Sequence, residues 1–311
     1  MKFAMIFPGQ GSQAVGMMSA YGDEPVIRST FDEASAALGR DLWALVTNGP
    51  VEAINQTVTT QPLMLTAGIA IYRLWRQRGG PLPAVLAGHS LGEYSALVAA
   101  GVLSLADAVP LVEFRAMAMQ DAVPAGEGAM AAVLGLDAAA VIAACAEAAC
   151  GQVVQAVNFN EPKQTVIAGH KAAVERATEL VKTRGAKRAL MLPVSAPFHC
   201  DLMKPAAEKL QVCLAQLNLG IPQIPVVNNV DVVMLSVTDD IKAALVRQAA
   251  SPVRWVETML CMQAEGITHV LECGPGKVLT GLVKRCVEGM SGIAMADNVG
   301  IEVALTLMKD A

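Results

Sequence analysis

The sequence predicts an α/β protein: a mostly parallel sheet covered by helices on both faces, with a smaller β-α-β-β-α-β unit set into it. Three observations carry this. Residues 2–7, 84–87 and 268–273 read as short buried strands with apolar centres, Phe3 to Phe7, Ala84 to Ala87 and Val270-Leu271, as expected of strands buried on both faces. Each is followed by a glycine-bearing turn, and helical periodicity recurs between the runs, the alternation of a sheet clothed in helices. Between residues 126 and 194 the order changes to that of a ferredoxin-like unit.

In chain order, strand 2–7 ends at the turn signal Pro8-Gly9. Helical periodicity follows over 26–38 and 61–78. Pro81-Leu82-Pro83 breaks the chain before strand 84–87, turn 88–92 and an apolar helix over 93–100. Helix 104–122 stops at Pro124-Ala125-Gly126. The inserted unit reads as strand 129–136, an Ala-rich helix 137–149 with Asp137 as N-cap, strands 153–157 and 164–168, helix 171–183 and strand 189–194. The last third reads as helix 202–217, strand 225–229, helices 241–249 and 255–265, strand 268–273, a Gly-Pro-Gly turn and helix 278–287. The predicted division is a main subdomain of residues 1–125 and 195–311 with 126–194 as its insert.

Composition narrows the function classes. The chain has 311 residues, 54% hydrophobic and 16% charged, which excludes global disorder and suffices for a core without disulfides or metal. Mean hydropathy is +0.45, high enough to require a membrane check. The apolar stretch after Glu93 is interrupted by Asp107, and the charge-free stretch before Arg73 contains Asn55, Gln56, Gln61 and Pro62, so neither is a good span. The apolar start stops at Pro8-Gly9, too short for a signal peptide. A cytoplasmic protein is expected. Net charge is −5, which argues against a broad nucleic-acid footprint. The seven cysteines lack C-x-x-C spacing, so reduced thiols are expected and neither a disulfide framework nor a metal site.

Gly88-His89-Ser90-Leu91-Gly92 fits the nucleophile elbow G-x-S-x-G, and the strand before it and helix after it are the context that motif requires. Ser90 would sit on a tight turn with its hydroxyl exposed. Glycines at 88 and 92 would avoid collision with neighbouring backbone, and the Leu91 N–H would face an oxyanion forming on a substrate carbonyl. A hydroxyl nucleophile needs a base. Of the four histidines, His89 adjoins the serine and should point away. His170 ends a strand of the insert, and His269 begins a strand at the wrong end. His199, in the loop after the insert, remains. No acid to orient it is evident among Glu113, Asp121 and Glu161, and a backbone or amide carbonyl is the substitute.

Other landmarks accompany the elbow: Gly9-Gln10-Gly11-Ser12-Gln13, Phe114-Arg115 with Met119-Gln120, residues 128–133, Asn158-Phe159-Asn160, Ser195-Ala196-Pro197-Phe198-His199, Gln248 before residues 251–255, and residues 272–276. In this order, over nearly the whole chain, they resemble the malonyl-CoA:acyl carrier protein transacylases of bacterial fatty-acid synthesis. The resemblance implies an α/β-hydrolase-like main subdomain with a ferredoxin-like insert. It implies Ser90 as nucleophile, His199 as general base, the backbone of Gln10 and Leu91 as oxyanion donors, and Arg115 as partner of the malonyl carboxylate. It also implies that the main-chain carbonyl of Gln248 orients the histidine, and that Phe198 leaves little room for an α-methyl group. The implied partners are malonyl-CoA and acyl carrier protein, both substrates, with no cofactor, no metal, no nucleic acid and no membrane; a monomer is expected.

Three other readings compete. A serine esterase or thioesterase would share Ser90 and His199 but use water as acceptor. A dinucleotide site would use Gly9-Gln10-Gly11-Ser12-Gln13-Ala14, but the acidic residues that should end the next strand, Asp32 and Glu33, fall in a helical pattern. The third is a non-catalytic carrier-protein docking module. An acidic carrier protein meeting a net-negative enzyme needs a locally basic face. Lys187 with Arg188, and Lys284 with Arg285, are the candidates, against the alternative that such runs are solvated helix faces.

Overall fold

The computed structural model describes residues 2–309. The first part of the chain runs β1 (Phe3–Phe7), α1 (Pro25–Leu38), α2 (Leu42–Asn48), α3 (Val51–Ile54), α4 (Thr57–Gln77), β2 (Val85–Gly88), α5 (Gly92–Ala99) and α6 (Leu105–Asp121). The middle runs β3 (Gly128–Leu134), α7 (Ala138–Ala148), β4 (Val154–Glu161), β5 (Gln164–His170), α8 (Lys171–Thr183) and β6 (Arg188–Met191). The last part runs α9 (Lys204–Ala215), β7 (Val226–Val227), α10 (Thr238–Ala249), α11 (Trp255–Ala264), β8 (His269–Glu272), α12 (Val278–Cys286), β9 (Ser291–Ala294) and α13 (Asn298–Lys309).

The main sheet has the order β7-β2-β1-β8-β9, and all its pairings are parallel. Successive side chains of a strand point to opposite faces. In β1 both faces are apolar: Phe3, Met5 and Phe7 enter one core, and Ala4 and Ile6 enter another on the opposite face with Trp255 and Met259 of α11. That double burial explains the uninterrupted apolar run. Central β1 ends at Pro8 beside the end of β2, so the turns after the two strands emerge together at the carboxyl edge of the sheet, where open α/β sheets place their sites.

The second sheet, β4-β5-β3-β6, is antiparallel throughout, with the strand order of a ferredoxin-like unit. Asp137 caps α7 by accepting from the Ala140 N–H at 2.8 Å, as expected. One face of this sheet packs on α7 and α8 through Val133, Val141 and Val174. The other face presents Met130, Val157 and Val166 to Cys200 and Phe198, over the loop that carries His199. A parallel bridge between Asn158 and Val253 joins it to the chain that leads into α11. Among the described residues no helix is long and apolar enough to cross a membrane, and no cluster of His, Cys, Asp and Glu is placed to hold a metal ion.

Candidate active site

The turn between β2 and α5 is three residues long, and close approach decides its sequence. A Cβ on Gly88 would stand 1.9 Å from the backbone of Gly92, and one on Gly92 would stand 2.0 Å from the Phe7 carbonyl oxygen. Ser90 holds a left-handed φ of 53°, an unusual conformation for a serine. Asn229 pins the turn: its Oδ1 accepts from the Ser90 N–H at 2.8 Å and its Nδ2 donates to the Gly88 carbonyl at 2.7 Å. The N–H groups of Gln10 and Leu91 make no hydrogen bond among the described residues. Both residues line the same cavity of about 140 Å³ beside Ser90.

The Ser90 hydroxyl lies 2.6 Å from His199 Nε2. His199 Nδ1 lies 2.9 Å from the Gln248 main-chain oxygen. A carbonyl can only accept, so Nδ1 carries the proton and Nε2 is free to take one from Ser90. His199 is 3% exposed and its φ is 66°, so its backbone is constrained as well. Burial, reinforced by the nearby Arg115 charge, lowers its pKa to about 3, so the imidazole is neutral near pH 7.

Arg115 reaches the same hydroxyl from α6. Its guanidinium donates to Ser90 Oγ at 3.2 Å, to Gln248 Oε1 at 3.0 Å and to Gln61 Oε1 at 2.8 Å. It lies 5.3 Å from the centre of the Tyr94 ring. The residue is 2% exposed, its Nε has no partner, and none of its hydrogen bonds goes to a carboxylate. The carboxyl of Glu93 stands behind Gln248 and does not touch the guanidinium, so Arg115 has no directly bonded anion, and a buried guanidinium is costly unless one answers it. Phe198 lines the same cavity, as does His89, whose Nε2 lies 2.8 Å from Asn160 Oδ1 and whose ring packs on Trp255. A larger outer cavity of about 630 Å³ shares Gln10, His89 and Leu192 with the inner one and opens past Val278 and Leu282 of α12.

The acids considered from sequence lie elsewhere: Glu113 pairs with Arg40 at 3.1 Å, Asp121 with Lys209 at 4.0 Å, and Glu161 with Arg285. Lys187, Arg188, Lys284 and Arg285 are exposed and line neither cavity beside Ser90; Lys187 precedes β6, Arg188 begins it, and the others lie in the last turn of α12. Gln61, Glu93 and Asn229 belong to the site and were not anticipated. The signal for Glu93 was a carboxylate in an otherwise apolar helix, since a buried charge needs a reason. Asn229 had a weaker one, a polar residue at the carboxyl end of a buried strand.

Comparison with known proteins gives the family. The acyl transferase domain family matches residues 4–306. The malonyl CoA-acyl carrier protein transacylase of Escherichia coli K12 is 57% identical over 307 residues, 98% of this chain and 99% of the relative. The crystal structure of an acyl-carrier-protein S-malonyltransferase from Burkholderia pseudomallei is 57% identical, covers 98% of this chain and 100% of its own, and superposes with a TM-score of 0.97. A malonyl-transacylase in complex with a type II polyketide synthase acyl-carrier protein is 53% identical over 99% of this chain and 100% of its own, with a TM-score of 0.97. The chain therefore belongs to the acyl transferase domain family, among the malonyl CoA-acyl carrier protein transacylases.

Proposed function

We propose that the chain moves a malonyl group from malonyl-CoA to the phosphopantetheine thiol of an acyl carrier protein through a malonyl ester on Ser90. The observation that carries this reading is one shared oxygen: Ser90 Oγ lies within hydrogen-bond reach of both His199 Nε2 and the buried guanidinium of Arg115. His199 takes the hydroxyl proton as Oγ attacks the thioester carbonyl. The N–H groups of Gln10 and Leu91 receive the developing oxyanion. Collapse breaks the C–S bond, and His199 returns its proton to the departing CoA thiolate. The carrier-protein thiol then gives its proton to His199, attacks the ester and releases Ser90, whose oxygen recovers the proton. This is covalent catalysis in two matched halves. Arg115 holds the malonyl carboxylate, a task that suits its planar fork.

The two halves balance with coenzyme A thioester and carrier protein as substrates and with no cofactor. On this reading residues 1–125 and 195–311 supply the nucleophile, base and guanidinium, while the insert 126–194 supplies the facing wall through Met130, Asn158 and Leu192. Docking of the carrier protein falls to Lys187, Arg188, Lys284 and Arg285. The enzyme works as a monomer in the cytoplasm and supplies fatty-acid elongation; its unpaired cysteines suit a reducing compartment.

The test is intact-mass measurement after mixing with malonyl-CoA. The wild type should gain a malonyl adduct and Ser90→Ala none. His199→Ala should acylate about 10²–10⁴-fold more slowly. Label carried by malonyl-CoA should leave the enzyme rapidly only when carrier protein is added. An adduct on Ser90→Ala, or equally fast loss to water, refutes the reading.

A further inference from the structure

Glu93 lies one turn below Ser90 on α5, is 2% exposed and touches none of the reacting atoms. One of its oxygens, Oε2, accepts from the Gln248 side-chain Nε2 at 2.8 Å and from the Asn229 main-chain N–H at 3.0 Å. Gln248 Nε2 also donates to the Ser90 carbonyl at 3.0 Å, and Gln248 Oε1 accepts from Arg115. Both amide hydrogens of Gln248 are therefore directed at acceptors, and its oxygen faces the guanidinium.

We propose that Glu93 is a positioning residue that sets the direction of the Gln248 amide and thereby aims Arg115 at the acyl carboxylate, so that it governs the choice of malonyl over neutral acyl groups. The physics is an inventory of donors and acceptors. An amide has one end that accepts and one that donates. With Glu93 ionised, a state that burial holds off to about pH 7, a reversed Gln248 amide would turn its oxygen onto a carboxylate oxygen and the Ser90 carbonyl, and its hydrogens onto a cation that has only donors. Without Glu93 the reversed form loses much of that penalty. Arg115 then keeps Gln61 as its amide acceptor and is no longer drawn toward Ser90. A neutral acetyl group has nothing to gain from Arg115 and should feel the loss less.

This rests on the malonyl-transfer reading, and the experiment separates the two. Wild type and variants are mixed with equal concentrations of malonyl-CoA and acetyl-CoA, and the Ser90 adducts are counted by intact mass at short times. A wild type that forms no malonyl adduct refutes the transfer reading itself. With the wild type malonylated, Glu93→Ala should lower the malonyl-to-acetyl ratio by about tenfold or more, the scale of a hydrogen bond to a charged group. Glu93→Gln keeps the volume and one acceptor oxygen and should lower it less, by about threefold. In an Arg115→Ala background neither substitution should shift the ratio further. An unchanged ratio with both adducts slowed alike overturns the proposal, because Glu93 would then be only structural. A full shift persisting without Arg115 overturns it as well. So does failure of Glu93→Gln to fold, which would make the carboxyl a requirement of folding.

Discussion

Ser90 Oγ is contacted by a base and by a cation at once, and the two neighbours set different properties of the reaction. On the proposed reading His199, as the base, bears on its pH dependence. An unperturbed imidazole, with a pKa near 6.5, would be only about 3% neutral at pH 5 and would lose its function as a base there. With the pKa lowered to about 3 by burial and by Arg115, His199 remains neutral through that range. The sign is that acidification from pH 8 to 5 leaves the base competent, so acylation by malonyl-CoA should hold its rate across 6.5 in stopped-flow measurements. Glu93, whose carboxyl burial pushes up to about 7, titrates in the same range, so the diagnostic variant is Glu93→Gln: a loss centred near 6.5 that persists there would mean that the imidazole is hydrated. On the proposed reading Arg115 sets what is transferred. Arg115→Ala should reduce kcat/KM for malonyl-CoA by about 10²-fold, as expected for a lost charge-assisted pair, and should reduce that for acetyl-CoA far less. Equal reductions would make Arg115 structural. Ser90 and His199 were legible in the sequence because a motif and a short list of imidazoles single them out. Gln61, Glu93 and Asn229 were not, because their partners lie 54, 155 and 139 residues away and no local pattern encodes such pairings.

At the scale of elements, the elbow is a packing constraint before it is a catalytic device. Gly92→Ala forces a Cβ against the Phe7 carbonyl at 2.0 Å, where α5 starts beneath β1. Overpacking of this kind costs about 1–3 kcal/mol or more, and it should appear as a lower urea midpoint together with loss of the malonyl adduct. Gly281, inside α12, is the contrast: a Cβ there meets nothing within 4 Å. Gly281→Ala should stabilise by about 0.5–1 kcal/mol through helix propensity, with acylation unchanged. Helix α12 is anchored at its start by the buried Glu272, whose carboxylate accepts from the N–H groups of Leu279 and Thr280 at 3.0 and 2.7 Å. The strands and long helices were legible because their burial is periodic or continuous. Two helices were legible despite internal prolines, Pro62 in α4 and Pro110 in α6. Pro62 offers no N–H to the Val58 carbonyl, and Arg40 donates to that carbonyl instead at 3.4 Å. The predicted start of α4 at 61 is therefore four residues late, because the proline hid the first turn. Short α2 and α3 and the half-buried edge strand β9 lack the length for a pattern. Helix α13 does carry one in its buried Ile301, Ala304 and Leu305, and the expectations stop short of it.

At the scale of the molecule, the docking proposed for the carrier protein draws on basic residues of both sheets' surroundings. The outer cavity shares residues with the inner one beside Ser90 and is lined by α12 and by the chain that leaves β6. Net charge is −5, so an acidic partner must find local positive potential at this mouth. The two basic clusters are not equivalent there. Leu282 lines the cavity, and Lys284, two residues on in the same helix, lies about 200° round its axis, so it can act on the potential of the mouth but does not line it. Arg188 begins β6, four residues before the cavity-lining Leu192, which is about 13 Å along an extended chain. Arg285 is already engaged with Glu161, so its reversal would remove an ion pair as well as a surface charge. Lys284 is exposed, which makes Lys284→Glu the clean probe. That variant should raise the KM for carrier protein several-fold at low salt, with the effect shrinking as ionic strength rises and the Debye length falls below about 10 Å. Reversing Lys187 and Arg188 together should have a smaller effect. Acylation by malonyl-CoA, which involves no carrier protein, should be nearly unaffected in both variants. A KM that is indifferent to Lys284→Glu at every salt concentration would move the docking face away from α12, while a larger effect at Lys187 and Arg188 would move it onto the insert.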